Sequence, residues 1–462
     1  MNVKKYVCLV LLFGGLLFSA VLIFLNLGNG SIDLWDESIT AGRSLYVYNT
    51  HSLINLEVNG EITPRKPPLI YVLNAVSFSI FGINEFGLRF PSALFGLLCF
   101  CMLVIGVYRI SGINWASLAP WLLAGSSILI NASREALTDT VFVCGFLCAS
   151  LAVLFELMEE DHNGKKWRWF YASGVFVVLF GKGPVGLFLI FYTLLFLVFI
   201  DRRLAMKYLI PSIAACLPLA IWMLMQSHAF PDFLRVFIKE EYLERMNYKS
   251  DFLSDHISHP LWYFNRLWPL FKFVGYASLI LPVISLFMMK RPKYVKDRKR
   301  ILFLFGIVVT YLLFISIVAH KQNRYILPLF PIFVLLFLLS AQFLFSLIKQ
   351  KTLRHGIVVA VAVFIIAGLH TTFSGYEFIP DYQPDQKAVS LKVSQYAEGI
   401  LPVYTDIKRL ATTMHFYLKR PVLVVANLRD ISAENYVYVS KEPFYNSTEY
   451  KGYYISAVRI MR

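Results

Sequence analysis

The sequence predicts a polytopic α-helical membrane protein with a small α/β domain outside the membrane at its C-terminal end. Three observations carry this expectation. Hydrophobic residues make up 57% of the 462, charged residues only 16%, and the mean hydropathy is +0.60, whereas a soluble domain carries about 45–50% apolar and about 25% charged residues. Apolar runs recur along the chain, each long enough to cross roughly 30 Å of hydrocarbon. From residue 376 onward these runs give way to short strand-like and helical patterns.

The first run, "YVCLVLLFGGLLFSAVLIFL", follows Lys4 and Lys5. It is long for a signal peptide and no small-x-small site follows it, so it reads as an uncleaved anchor. About eleven spans are expected, over 6–27, 88–108, 113–131, 136–156, 168–182, 184–200, 207–226, 268–288, 301–319, 325–347 and 355–374. The segment "LIYVLNAVSFSIFGI" (69–83) is too short and too close to its neighbour for a span, and fits a helix lying at the interface. A transmembrane unit over 1–375 therefore carries long outer loops at 29–87 and 227–267, and the α/β domain covers 376–462. In that tail "LPVYTD", "RPVLVVA", "YVYVSK" and "YYISAVRIM" read as strands, and "DQKAVSLKVSQYAEG" as a helix. "NST" at 446–448 matches a glycosylation acceptor, a match common by chance.

The formal charge of +15 does not form a nucleic-acid patch. The cations fall in alternate loops: "EEDHNGKKWR", "DRRLAMK", "KRPKYVKDRKR" and "KQKTLRH" on one side, against "NASREALTD", "GKGP" and "HKQNR" on the other. The positive-inside rule then puts the N-terminus in the cytoplasm and the long loops and the tail outside. All six cysteines lie within apolar segments, and Cys144 and Cys148 share one helical face. They read as packing thiols rather than a disulfide framework or metal site.

Charges accumulate on the outer face, where that rule makes cations scarce. "DLWDESITAGRS" sets Asp36 and Glu37 side by side beyond the first span. With Ser31 or Asp33 as a cap, a helix from there puts Asp36, Ile39 or Thr40, and Arg43 on one face. Taken alone, carboxylates in the first turn of a surface helix are ordinary. "PRKPPL" holds Arg65 and Lys66 before two prolines that stiffen the loop. Arg89 lies at a span edge, and Asp139 heads the fourth expected span, where a carboxylate usually faces a wet cavity. Lys182 sits in "GKGP", and Lys321, Arg324 and Tyr325 in "HKQNRYILPLFP". Any one cation near a span end is as readily a snorkelling side chain. Together they suit an anionic headgroup, with a carboxylate to take a proton from a hydroxyl. The loop 227–267 is mixed, with Glu240, Glu241, Glu244 and Arg245, and interfacial aromatics. His256 and His259 precede Pro260 with no clear third ligand, so capping or packing is favoured over a metal.

"WDE", "KPPL", "FGINEFGLRFPSAL", "LTDTVFV", "GKGPVGL", "HPLWYF" and "RYILPLFP" follow one another in an order that resembles bacterial GT-C glycosyltransferases. The likeness is to lipid A 4-amino-4-deoxy-L-arabinose transferases and protein O-mannosyltransferases, over roughly residues 30–335. It implies a sugar donor on a polyprenyl phosphate, no direct use of a nucleotide sugar, and catalysis on the periplasmic or luminal face. It implies a catalytic role for Asp36, phosphate contact for Lys66, and site roles for Asp139 and Arg324. The aminoarabinose transferases typically read Asp-Glu-x-Arg-Tyr, where this chain has Ile39 and Thr40, and place Glu before Lys-Pro-Pro, where it has Arg65. That Glu is associated with a metal site, so the resemblance leaves a divalent cation open and no cofactor certain.

The expectation is an inverting GT-C-type hexosyl- or pentosyltransferase of the bacterial inner membrane. Asp36 and Asp139 are its catalytic carboxylates, and Lys66, Arg245, Lys321 and Arg324 its donor-phosphate ligands. Glu37, Arg43, Arg65, Arg89, Lys182, His259 and Tyr325 support them. The donor is a polyprenyl-phosphate sugar, with undecaprenyl phosphate expected, and the acceptor is lipid A, another glycan or a protein. Membrane lipids are its surroundings, and no nucleic acid is expected. A secondary transporter or lipid flippase is the alternative, against which stand the lack of an inverted repeat and the crowding of charge on one face. A non-catalytic assembly factor is a third reading, open because of the tail.

Overall fold

The computed structural model describes residues 3–63, 65–159, 164–244, 261–319, 321–398, 401–426, 428–444 and 446–458, without the side chains of residues 3, 240–242, 268–270, 272 and 371. Helix α1 (Val3–Phe24) covers the first expected span. Its Val7, Val10, Phe13 and Leu17 remain exposed, as a lipid-facing surface requires. The first long loop holds α2 (Asp36–Thr50), a small hairpin of β1 (Glu57–Val58) and β2 (Glu61–Ile62), and α3 (Leu69–Phe81), the short apolar helix expected at the interface. Helix α4 (Glu85–Ser111) follows, capped by Asn84, whose side chain accepts from the Gly87 N–H at 2.8 Å.

The expected span over 113–131 is not one straight helix. It is α5 (Ile113–Ala116), α6 (Ala119–Ala124) and α7 (Ser127–Ser133), with a 76° bend before α7. Helix α8 (Thr138–Glu156) is buried along nearly its whole length and forms the centre of the bundle, as a helix apolar all round must. It packs closely on α9 (Lys165–Lys182). A Cβ at Gly174 would lie 2.6 Å from the Ala149 backbone nitrogen, so only glycine allows this approach. Then come α10 (Leu187–Ile200), α11 (Arg202–Ala229), a π-helical turn at Arg235–Leu243, α12 (Trp262–Met288), α13 (Val295–Ile317), a 3-10 turn at Asn323–Ile326, α14 (Leu329–Leu347) and α15 (Lys351–Ser374).

Every expected span falls on helix. Among the described residues, seven helices are long and apolar enough to cross a membrane, eight if the bent pair counts as one. Of the other expected spans, 168–182 falls on α9, which carries cations at its ends, 184–200 on the shorter α10, and 268–288 on α12. The chain is thus a multi-pass membrane protein. Among the described residues all six cysteines are free, with Cys99 and Cys144 buried.

The tail forms α16 (Pro384–Ala397), β3 (Val403–Thr405), α17 (Lys408–Leu418), β4 (Leu423–Val424), β5 (Tyr436–Ser440), β6 (Thr448–Tyr450) and β7 (Tyr453–Val458). Its sheet order is β4-β3-β5-β7-β6, with β3 parallel to both neighbours and the β5/β7 and β7/β6 pairs antiparallel. Each expected strand run holds a strand. β6 is an addition, made by a tight turn in which Lys451 and Gly452 take φ of 55° and 71°.

This α/β unit does not hang free. Phe416 and Tyr417 of α17 pack with Ile32, Ala41, Leu45, Phe78 and Leu88. The Tyr417 hydroxyl accepts from the Ile32 N–H at 3.1 Å, and Lys387 meets Glu85 at 2.5 Å. Asn59 of the hairpin pairs with the Val422 backbone. Arg134, itself buried, donates to the carbonyls of Leu25, Glu377 and Phe378 and lies over the Tyr376 ring, which clamps the start of the tail to the end of α1.

Candidate active site

The acidic pair of the first loop is split between two tasks. Glu37 and Arg89 form a two-pronged ion pair at 2.8 and 2.9 Å, both side chains fully buried. The other lone pairs of Glu37 accept the N–H groups of Asp33 at 2.9 Å and Ala136 at 3.0 Å, and Arg89 also donates to the carbonyls of Leu27 and Ser31. Such a fully satisfied buried pair ties α2, α4 and the α7–α8 turn together. Asp36 begins α2 and points out, 49% exposed, where the helix dipole favours negative charge. One of its oxygens accepts from Arg324 Nη1 at 2.8 Å, and the other makes no hydrogen bond among the described residues.

Neither Ser31 nor Asp33 caps α2, where Trp35 holds the cap position with no side-chain bond. The Ser31 hydroxyl is taken up by Asp381 of the tail at 2.5 Å, and Asp33 folds back on the Trp35 N–H at 3.2 Å.

Arg324 is brought to Asp36 by the 3-10 turn between α13 and α14. Its Nη2 donates to Glu135 at 3.2 Å, so one guanidinium is shared by two carboxylates. Glu135 lies in the α7–α8 turn with a side chain only 15% exposed, and its second oxygen accepts from the Tyr382 hydroxyl at 3.4 Å. Burial, opposed by the Arg324 charge, raises its carboxyl to about 7.

Antiparallel packing of α8 and α9 places the first turn of one beside the last turn of the other. Asp139 and Lys182 therefore meet at 2.5 Å, each at the helix end its charge suits. Lys182 also stands over the rings of Phe142 and Tyr325 at 5.2 and 5.7 Å. Lys66, half-buried after the stiff loop, lies near enough for its charge to act on Asp139, as does Arg324.

The structure thus gathers Asp36, Asp139, Lys66, Lys182, Arg324 and Tyr325 at one end of the bundle, beside Glu135. It turns others elsewhere. Arg43 donates to Tyr71 at 2.7 Å and to Thr63 at 3.1 Å, buried under the hairpin. Lys321 turns back on the carbonyls of Ser316 and Val318 at 2.8 and 2.7 Å, closing the end of α13. Arg65 is exposed. Arg245 and His259, with His256, lie outside the described residues. Glu135 and Tyr382 are the residues that sequence reasoning missed. Glu135 had a signal, an acid four residues before Asp139 in a short turn, whereas Tyr382 joins only through docking of the tail. Among the described residues no group of three or more His, Cys, Asp or Glu side chains could hold a metal ion. With Arg65 before the Lys-Pro-Pro stretch, the described residues do not fit the divalent cation that the resemblance leaves open.

Comparison with known proteins agrees with this architecture. Residues 65–225 match the dolichyl-phosphate-mannose-protein mannosyltransferase family. An uncharacterised protein of Aquifex aeolicus (strain VF5) is 28% identical over 355 residues, 76% of this chain and 67% of its own. A polyprenol-phosphate-mannose–protein mannosyltransferase of Mycobacterium tuberculosis (strain CDC 1551 / Oshkosh) is 32% identical over 156 residues, 33% of this chain and 28% of its own. The crystal structure of ArnT from Cupriavidus metallidurans bound to undecaprenyl phosphate superposes with a TM-score of 0.74 at 16% identity, covering 96% of this chain and 97% of that one. The archaeal oligosaccharyltransferase AglB from Archaeoglobus fulgidus superposes with a TM-score of 0.63 at 12% identity, covering 92% and 65%.

Proposed function

We propose that this chain, whose fold is that of the GT-C superfamily, is an integral membrane glycosyltransferase that takes its sugar from a polyprenyl phosphate. The observation that carries the reading is a half-exposed carboxylate, Asp36, paired with Arg324 at a mouth where Arg324 and Lys66 both lie close enough for their charge to act on Asp139. Arg324 and Lys66 hold the donor phosphate and stabilise the charge that develops as it leaves. An acceptor oxygen attacks the anomeric carbon as the bond to the phosphate oxygen breaks, with inversion. The electron pair leaves on the polyprenyl phosphate, and the hydroxyl proton passes to the free oxygen of Asp36. Asp139 holds Lys182 in place behind the phosphate site.

The names of the matched relatives support a polyprenol-linked mannose as the first donor to try and a protein as the first acceptor. Lipid A or another glycan, and a pentose donor, are the further members of the panel. Undecaprenyl phosphate is the proposed carrier, in keeping with the ligand of the ArnT structure. The alternation of basic loops supports a cytoplasmic N-terminus in the inner membrane, with the mouth and the domain over 376–462 in the periplasm. The test supplies purified protein in nanodiscs with mannosyl- and aminoarabinosyl-phosphoryl undecaprenol and an envelope extract, read by mass spectrometry. A sugar-mass increment on an acceptor is expected. Failure to consume either donor in a folded, monodisperse sample contradicts the reading.

A further inference from the structure

Two carboxylates compete for the Arg324 guanidinium, Asp36 on Nη1 and Glu135 on Nη2. A phosphate entering this mouth adds a third anion. The two carboxylates are not equivalent in their surroundings. Asp36 is half exposed, whereas Glu135 is enclosed, with the negative groups Asp33, Glu37 and Asp139 around it. Of the cations nearby, Arg89 is committed to Glu37 and Lys182 to Asp139, which leaves Lys66 beside Arg324 for the incoming phosphate. Tyr382 is held by the residues on either side of it, because Asp381 and the Gln383 N–H both bind the Ser31 hydroxyl. Burial keeps the Tyr382 hydroxyl protonated, so it is a fixed donor to the carboxylate.

We propose that Glu135 is a positioning residue: held by Tyr382 of the tail, it aims Arg324 in the empty site and releases it to the donor phosphate by taking a proton from solvent. This rests on the reading above, that a polyprenyl phosphate occupies the mouth. It also gives the tail a part in the site, because Tyr382 is the contact through which the segment after the last span reaches Arg324. Charge balance favours the step. An enclosed carboxyl that already titrates near neutrality is the group for which a proton costs least when negative charge arrives.

The test measures affinity for a probe with no ionisation of its own in the range, the methyl phosphodiester of undecaprenol, from pH 6 to 8.5 in nanodiscs. Wild type is expected to bind about 10-fold or more tightly at the acid end, as uptake of one proton requires. Glu135→Gln is expected to bind with no such dependence, and more tightly than wild type at pH 8.5. Tyr382→Phe removes a donor to the ionised carboxylate, so its dependence persists with the midpoint moved to higher pH. Flat binding by wild type overturns the inference, as does a wild-type slope in Glu135→Gln. A uniform loss of affinity in both variants with the slope unchanged would mark the pair as merely structural and also overturn it. If Glu135→Gln does not fold, an unmoved midpoint in Tyr382→Phe decides against it. Absence of probe binding by wild type at every pH would overturn the functional reading and this inference with it.

Discussion

The carboxylate of Glu37 meets the guanidinium of Arg89 at 2.8 Å with neither side chain exposed. The neighbour one residue earlier, Asp36, is half exposed and faces Arg324. Breaking a buried pair by removing one partner costs about 3–5 kcal/mol, because an uncompensated charge stays behind. Glu37→Ala and Arg89→Ala should therefore lower the unfolding midpoint in detergent sharply, and the double variant should cost less than the sum of the two. Asp36→Asn should leave that midpoint within about 0.5 kcal/mol of wild type, as surface changes do.

Lys66 follows Arg65 in the stiff loop and donates to no group among the described residues, which leaves its ammonium for a ligand. A hydrogen bond to a charged group is worth about 1.5–3 kcal/mol. Lys66→Ala should raise the donor KM about 10- to 100-fold, read from initial rates, and Lys66→Arg should recover part of the loss. Lys321→Ala, whose ammonium closes the end of α13, should act on stability more than on KM.

Phe416 is 2% exposed in a cluster that joins α17 to α2, α3 and α4. Emptying such a site costs about 3–5 kcal/mol. Phe416→Ala should loosen the α/β unit from the bundle, and limited proteolysis should then cut within residues 375–383 faster than in wild type. Equal cleavage rates would contradict this docking.

Glu135 links stability to pH. Its carboxyl stands at about 7 in the folded chain against an ordinary 4.5. The folded state therefore binds more protons between these values, and the contribution is present at acid pH and lost as pH rises toward 7. Glu135→Gln escapes this loss. Its unfolding midpoint relative to wild type should rise between pH 5 and pH 8, by the equivalent of a few kcal/mol at most. A pH-independent difference would show that Glu135 does not titrate in this window.

Much of the bundle was legible because hydropathy and loop charge are local and additive. The first apolar helix, the short helix within 69–83 and the strands of the tail all fall where their patterns place them. The broken helix over 113–131 was not legible, since "PWLLAGSSILINAS" carries no charge and enough apolar residues to read as one run, and its bend falls at Gly125 and Ser126. In the site, side chains that hydropathy flags as costly at a span end, such as Asp139 and Lys182, do come together. Long-range partner choice was hidden. Nothing in "WDE" tells that Glu37 is sealed under Arg89 while Asp36 is open, and nothing in "IPDYQP" tells that Tyr382 reaches Glu135 across the chain.

The central claim is that Asp36 activates an acceptor at a mouth that holds a polyprenyl-phosphate sugar. Release of free polyprenyl phosphate from the donor, followed by mass spectrometry in nanodiscs for wild type and Asp36→Asn, tests it most directly. Loss of a general base costs about 100- to 10,000-fold. The account predicts release by wild type, and a variant that binds donor at least as tightly as wild type yet releases the carrier at least about 100 times more slowly. Equal release by the two proteins would contradict it.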